Sequence, residues 1–174
     1  MTEVSDTNKS QITIWVDADS CPSLVRNHAV KMGNKLGLKV VFAANKAINN
    51  DAGQFEMIIC EAEKDAADNY IFDNCKTGDL VITRDIVFAD RLVEKGISCI
   101  NDRGTEFTRE MIKERLSTRD FDLQLAQIGL VKHHHEGYDK KKFAEFANSL
   151  IRLYTDFCVM QRINLPVHQG MPSE

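Results

Sequence analysis

Apolar residues in the first hundred positions fall into short blocks with different periods, separated by polar punctuation. ITIWV at 12–16 runs directly into Asp17 and predicts a central parallel strand buried on both faces, because a strand with one wet face would alternate. A helix follows it: Asp19 or Ser20 is placed to cap its N-terminus, Pro22 suits the first turn, and Gly37 closes it after Leu36. Residues 38–44 are β-branched and apolar in their middle and predict a second strand, and NKAINNDAGQ at 45–54 predicts a surface loop. A short strand is expected at 57–60. Ala67, Ile71, Phe72 and Cys75 then recur at helical spacing within 64–75, with Gly78 as a stop. Residues 79–83 predict a strand, 86–95 an amphipathic helix closed by Gly96, and 97–100 a strand leading into the turn NDRG.

This alternation with short connections predicts an α/β fold, a single three-layer domain whose mostly parallel sheet is flanked by helices on both faces. Two further helices are expected at 108–116 and 118–127, the second starting from a Ser117 cap with Asp120 three residues on. Residues 129–137 predict a loop, and 140–157 a helix lined on one face by Phe143, Phe146, Leu150, Tyr154 and Phe157. The chain of 174 residues suits one core, so the expected organisation is a tail at 1–10, a domain at 11–158 and a loosely held tail at 159–174.

Composition adds limits. At 43% hydrophobic and 28% charged the chain matches soluble globular proteins, and no apolar run approaches the roughly 20 residues that cross a bilayer. The first ten residues lack a basic start and an apolar centre, so the cytoplasm is the expected compartment and no membrane partner is expected. The formal charge of -4 excludes holding nucleic acid by bulk electrostatics; a phosphate-bearing substrate would need local help, which bound divalent cations supply. Five cysteines without a C-x-x-C pair suit free thiols, with Cys60, Cys99 and Cys158 as buried small hydrophobes.

Ligands in parallel α/β sheets collect outside the carboxyl ends of the strands, and there the acidic residues lie: Asp17 and Asp19, Asp85, and Asp102. Carboxylates gathered from separate strand ends repel one another unless a cation lies between them, and oxygen donors without a His or Cys cluster suit Mg2+ or Mn2+. The competing reading is that Asp19, Asp85 and Asp102 cap helices or turns. Asp17, directly after an apolar run, fits capping least, because an unpaired charge is expensive there. Asp65 and Asp68 stand one helical turn apart and can share a face. Arg84, Arg103, Arg109, Arg115 and Arg119 can position phosphates, yet Glu106, Glu110 and Glu114 interleave with them, which equally suits a salt-bridged face. Consecutive His133, His134 and His135 fan outward and suit an exposed loop rather than a metal site. Cys21 lies near a helix start, where thiols are activated. Neighbouring carboxylates oppose its thiolate, and CPSLVR is one residue short of a C-x5-R loop, so a structural role is expected.

The segments IWVDADSCP, LVITRDI, NDRG and RDF, with the Asp65 to Asp68 spacing, resemble the YaiI/YqxD family of bacterial proteins, in the family's order and over about residues 12–155. That family is classed with PIN-like domains, whose nucleases use acidic residues around divalent metal. The resemblance therefore implies a PIN-like fold, Mg2+ or Mn2+ as cofactor, and hydrolysis of phosphodiester bonds, with RNA as the substrate class. Carried over position by position, it places Asp17 at the first strand, Asp68 on the middle helix and Asp85 at the later strand end, with Asp19 in the family's first motif. The expected catalytic set is Asp17, Asp19, Asp68 and Asp85; the expected metal ligands are Asp17, Asp19, Asp85 and, as a fourth corner, Asp102; the expected substrate contacts are Arg84, Arg103 and Arg119. Family members commonly have Pro where Asp102 stands, which makes a plain turn residue the other reading of that position. Two alternatives stay open: a haloacid-dehalogenase-like phosphatase, in which VDAD supplies Asp17 as nucleophile and Asp19 as general acid, and a metal-stabilised binding domain without turnover.

Overall fold

The run ITIWVD does become the middle of a sheet. In the computed structural model, which describes residues 11–129 and 137–163, β1 (Thr13–Asp17) lies between β2 (Lys39–Ala44) and β4 (Leu80–Ile82), with β3 (Glu56–Ile59) and β5 (Ser98–Ile100) at the edges. All these pairings are parallel, in the order β3-β2-β1-β4-β5. The strand alternation sorts side chains into two cores. Ile14, Val16, Val40, Phe42, Ile82 and Ile100 pack with α1 (Ser23–Leu36) and α5 (Lys140–Ile163), the latter supplying Phe146 and Leu150. Trp15, Val41, Val81 and Cys99 pack on the other face with Ile71 of α2 (Ala66–Asn74), Phe88 and Leu92 of α3 (Ile86–Glu94), and Ile112 of α4 (Arg109–Gln127). The result is one α/β domain with a five-stranded parallel sheet flanked by helices, as the sequence pattern predicts.

The connection from β2 to β3 has no helix, in keeping with its Asn- and Gly-rich sequence. Ile48, Ala52 and Phe55 from this loop pack on the α1 side, and Asn34 of α1 brackets it with two 2.7 Å hydrogen bonds to the backbone of Gln54. From β1 the chain thus winds outward through β2 and β3, then crosses by way of α2 to β4 and β5 on the opposite side. The carboxyl ends of β1 and β4 are where the winding direction reverses, the position at which such sheets open a crevice.

At the opposite, amino edge a buried acid serves the fold. Asp79 is 2% exposed and accepts hydrogen bonds from Thr13 N, Trp15 Nε1 and Lys76 N at 3.0–3.1 Å, so its lone pairs are satisfied by the protein itself.

Several local expectations are corrected. Neither Asp19 nor Ser20 caps α1: Pro22 holds the N-cap position without a side-chain bond, because both side chains have other partners. Asp65 is not on α2 but at its N-cap, with a left-handed φ of 61°. The two helices expected at 108–116 and 118–127 are one. No glycine or proline interrupts Arg109–Gln127, and Thr118 donates to the Glu114 carbonyl at 3.0 Å, satisfying its hydroxyl inside the helix. Helix α5 continues past residue 157 to Ile163. His133, His134 and His135 lie outside the described residues.

The NDRG turn is held against α5. Asn101 Oδ1 accepts from Arg103 N and Thr105 N, both at 2.9 Å, and Gly104 has φ 81°. A Cβ at Gly104 would stand 2.5 Å from the Glu145 carbonyl oxygen. Gly104→Ala is therefore expected to destabilise the fold by about 2–3 kcal/mol, from the left-handed backbone and the backbone overlap together. Urea unfolding measures this, and a loss under about 0.5 kcal/mol would show that the turn yields.

Candidate acidic site at the carboxyl edge of the sheet

Asp17 ends β1 on the face that carries Trp15, and is 5% exposed. Ser20 Oγ and Thr83 Oγ1 both donate to its Oδ2, at 2.6 and 2.7 Å. Asp85 N donates to Thr83 Oγ1 at 3.0 Å, so the threonine's own proton is left for Asp17. No hydrogen-bond partner for Asp17 Oδ1 is found among the described residues. The turn between Asp17 and α1 is clamped by Arg26, which donates to the carbonyls of Ala18 and Cys21 at 2.9 and 2.6 Å. Burial pushes the Asp17 carboxyl above its ordinary range; the Ser20 and Thr83 hydrogen bonds oppose this, and the charge of Asp19 adds to it.

Asp85 follows β4 and caps α3, its Oδ1 accepting from Val87 N and Phe88 N at 2.8 and 3.0 Å. Asp68 stands in the first turn of α2, half-buried and with no hydrogen bond among the described residues. Burial, then the charges of Asp17, Asp85 and Asp65, raise its carboxyl to about 7, with Arg91 opposing weakly. The charges of Asp17 at a strand end and Asp85 at a helix cap therefore act on Asp68 at a helix start, across the switch point.

The other two predicted acids flank this group. Asp19 is exposed, and its Oδ2 accepts from Asn45 N at 2.7 Å, tying the turn after β1 to the end of β2. Asp102 is 3% exposed; its carboxylate lies 3.5 Å from Arg84 Nε, and its carbonyl accepts from Tyr138 Oη at 2.7 Å. Among the described residues no three His, Cys, Asp or Glu side chains stand close enough together to hold an ion directly. Cys21 is buried beneath the turn, its thiol pushed above the usual range by burial and by the charge of Asp17, in keeping with a structural role. Of the arginines, Arg84 and Arg103 line one hollow beside Asp102, whereas Arg119 lines a separate one along α4. Sequence reasoning gives no place in the site to Ser20, Thr83 or Arg26; a hydroxyl at the end of the neighbouring strand is the one signal that points to Thr83.

A doubly wound parallel domain with acidic residues beside its switch point is the class these elements define. The chain belongs to the YaiI/YqxD family, an uncharacterized family whose model matches residues 15–156. Similar proteins include a UPF0178 protein of Treponema denticola, 47% identical over 79% of this chain and 88% of that one, and another of Treponema pallidum, 41% identical over 81% and 80%. A UPF0178 protein of Ectopseudomonas mendocina is 36% identical over 82% of this chain and 96% of its own length. No solved structure matches the chain. Among the described residues no helix is long and apolar enough to cross a membrane.

Proposed function

We propose that this protein is a PIN-like, metal-dependent nuclease that hydrolyses phosphodiester bonds in RNA at the Asp17, Asp68 and Asp85 crevice. The observation that carries this reading is that buried Asp17 and the α3-capping Asp85 follow β1 and β4 on either side of the topological switch point, with Asp68 near enough to feel both charges. A bare ion caged by protein ligands does not fit the arrangement. A hydrated Mg2+ or Mn2+ does, since such ions are held by one or two carboxylates with water and substrate phosphate completing the shell. Asp17 through Oδ1 and Asp85 through the oxygen that does not cap α3 would hold it, with Asp68 reaching its shell of water, while Asp19 and Asp102, each with a partner of its own, add charge. Bound there, the ion would supply an activated water and neutralise charge on the phosphodiester. The chain's own part is orientation: Ser20 and Thr83 fix Asp17, the first amides of α3 fix Asp85, and Asp68 is free to accept a hydrogen bond from the attacking water.

The phosphatase alternative needs Asp19 as general acid beside a nucleophilic Asp17, but Asp19 is engaged by the Asn45 amide. Incubation with Mn2+ and either labelled single-stranded RNA or a small phosphomonoester separates the readings. RNA cleavage that stops on chelation is the expected result. Phosphomonoester turnover with label left on Asp17, or inactivity on both substrates, would overturn the nuclease and favour the phosphatase or the binding domain respectively.

A further inference from the structure

Beside the acidic crevice lies a hollow of about 200 Å³ lined by Arg84, Arg103 and Arg115, with Asn101, Asp102 and Phe107 among its walls. Its three guanidiniums come from different elements: the residue after Thr83, the NDRG turn and helix α4. Asp102 is the one acid among the residues lining the hollow, and it pairs with Arg84. The sequence leaves it open whether these arginines are cancelled by the interleaved glutamates. In the fold, Glu106 pairs instead with Arg152 of α5 at 3.1 Å, and neither Arg103 nor Arg115 forms an ion pair among the described residues.

We infer that this hollow is a phosphate subsite, taking a backbone phosphate of the RNA strand next to the bond held in the crevice. The inference rests on the nuclease reading for the strand's identity. The chemistry of the hollow stands on its own: planar guanidiniums match phosphate oxygens, and an excess of them in one recess favours an anion. At roughly 30 Å³ per water, the hollow holds several waters that a phosphate group can displace. Continuity with the crevice is given by Arg84, whose backbone amide is 3.4 Å from Ser20 Oγ, the group that donates to Asp17. Arg103 is presented on a braced turn, since its amide is bonded to Asn101 and the following glycine is packed on α5. An otherwise acidic protein thereby gains a local cationic foothold, and a strand is gripped beside the bond to be cut.

The test measures binding of a labelled single-stranded RNA by fluorescence anisotropy over a range of salt, in EDTA so that no cleavage intervenes. The unaltered protein is compared with an Arg103→Gln, Arg115→Gln double variant. A Lys31→Gln, Lys35→Gln double variant, changed on α1 by the same net charge, is the control. The expected result is at least ten-fold weaker binding for the arginine variant, with a log–log salt slope reduced by about 1.4 for two lost phosphate contacts, and little change for the lysine variant. Equal weakening in both variants, unchanged binding in the arginine variant, or no binding by the unaltered protein would overturn the subsite. In cleavage assays the arginine variant should raise KM and leave kcat within about three-fold. Arginine-dependent binding without cleavage would sink the nuclease and keep the subsite; cleavage with an unaltered KM would do the reverse.

Discussion

Asp17→Asn is expected to lower RNA cleavage by about 10²–10³-fold, the range seen when one charged or polar contributor to a transition state is removed, while the fold stays intact. The substitution separates charge from shape. Both hydrogen bonds to the native side chain arrive at one oxygen, from Ser20 and Thr83, and the asparagine carbonyl can accept both. What disappears is a buried negative charge whose pKa burial raises. A group with a raised folded-state pKa contributes stability only at low pH and loses it as pH rises through that value, so at neutral pH the native aspartate weakens the fold, and removing that charge offsets the unpartnered NH2 that asparagine places at the Oδ1 position. A melting temperature equal to or above that of the native protein at pH 7.5, together with lost cleavage, is the expected pair of results. Cleavage within about three-fold of native would remove Asp17 from the chemistry, and a collapsed melting temperature would mean that its role is structural.

The contrast between what sequence conveys and what it does not follows from the range of the interactions involved. The strand run ending in Asp17 is visible because burial on both faces abolishes alternation, and the cores built on Val16 and Trp15 confirm that reading. The acids at strand ends are visible because parallel sheets put their ligands there. Partners are not visible: the Thr83 and Asp17 bond spans 66 positions, and the Arg152 and Glu106 pair spans 46. That second pair changes the meaning of a motif, since from sequence alone Glu106 looks like the counter-ion of the neighbouring arginines. Local signals also fail where tertiary demands win. Ser117 resembles a cap, but an uninterrupted helical stretch with an internally satisfied Thr118 gives the chain no reason to stop there. Asp19 and Ser20 resemble caps as well, yet Asn45 and Asp17 claim them first.

Asp68→Asn is expected to make the protein more stable at neutral pH and less able to use a divalent ion. Asp68 has a folded-state pKa of about 7 against an ordinary value of 3.8, because burial and the charges of Asp17 and Asp85 penalise its ionised form. Between those two values the unfolded chain has released a proton that the folded chain still holds, so stability falls as pH rises through the window and the full penalty is present above about pH 7. A tenfold change in proton affinity is worth about 1.4 kcal/mol, but the side chain is only half-buried and water screens it, so a gain of about 1–2 kcal/mol is the expected size. Urea unfolding at pH 4 and pH 7.5 measures it: native and variant proteins should nearly coincide at the lower pH and separate at the higher one. Adding Mn2+ at pH 7.5 should narrow the gap, since an ion that binds only the folded state stabilises it and the native carboxylate binds that ion more tightly. A gap of the same size at both pH values would show that Asp68 is not crowded by Asp17 and Asp85. A gap at pH 7.5 that Mn2+ leaves untouched would show that the crowding has another purpose than holding a cation.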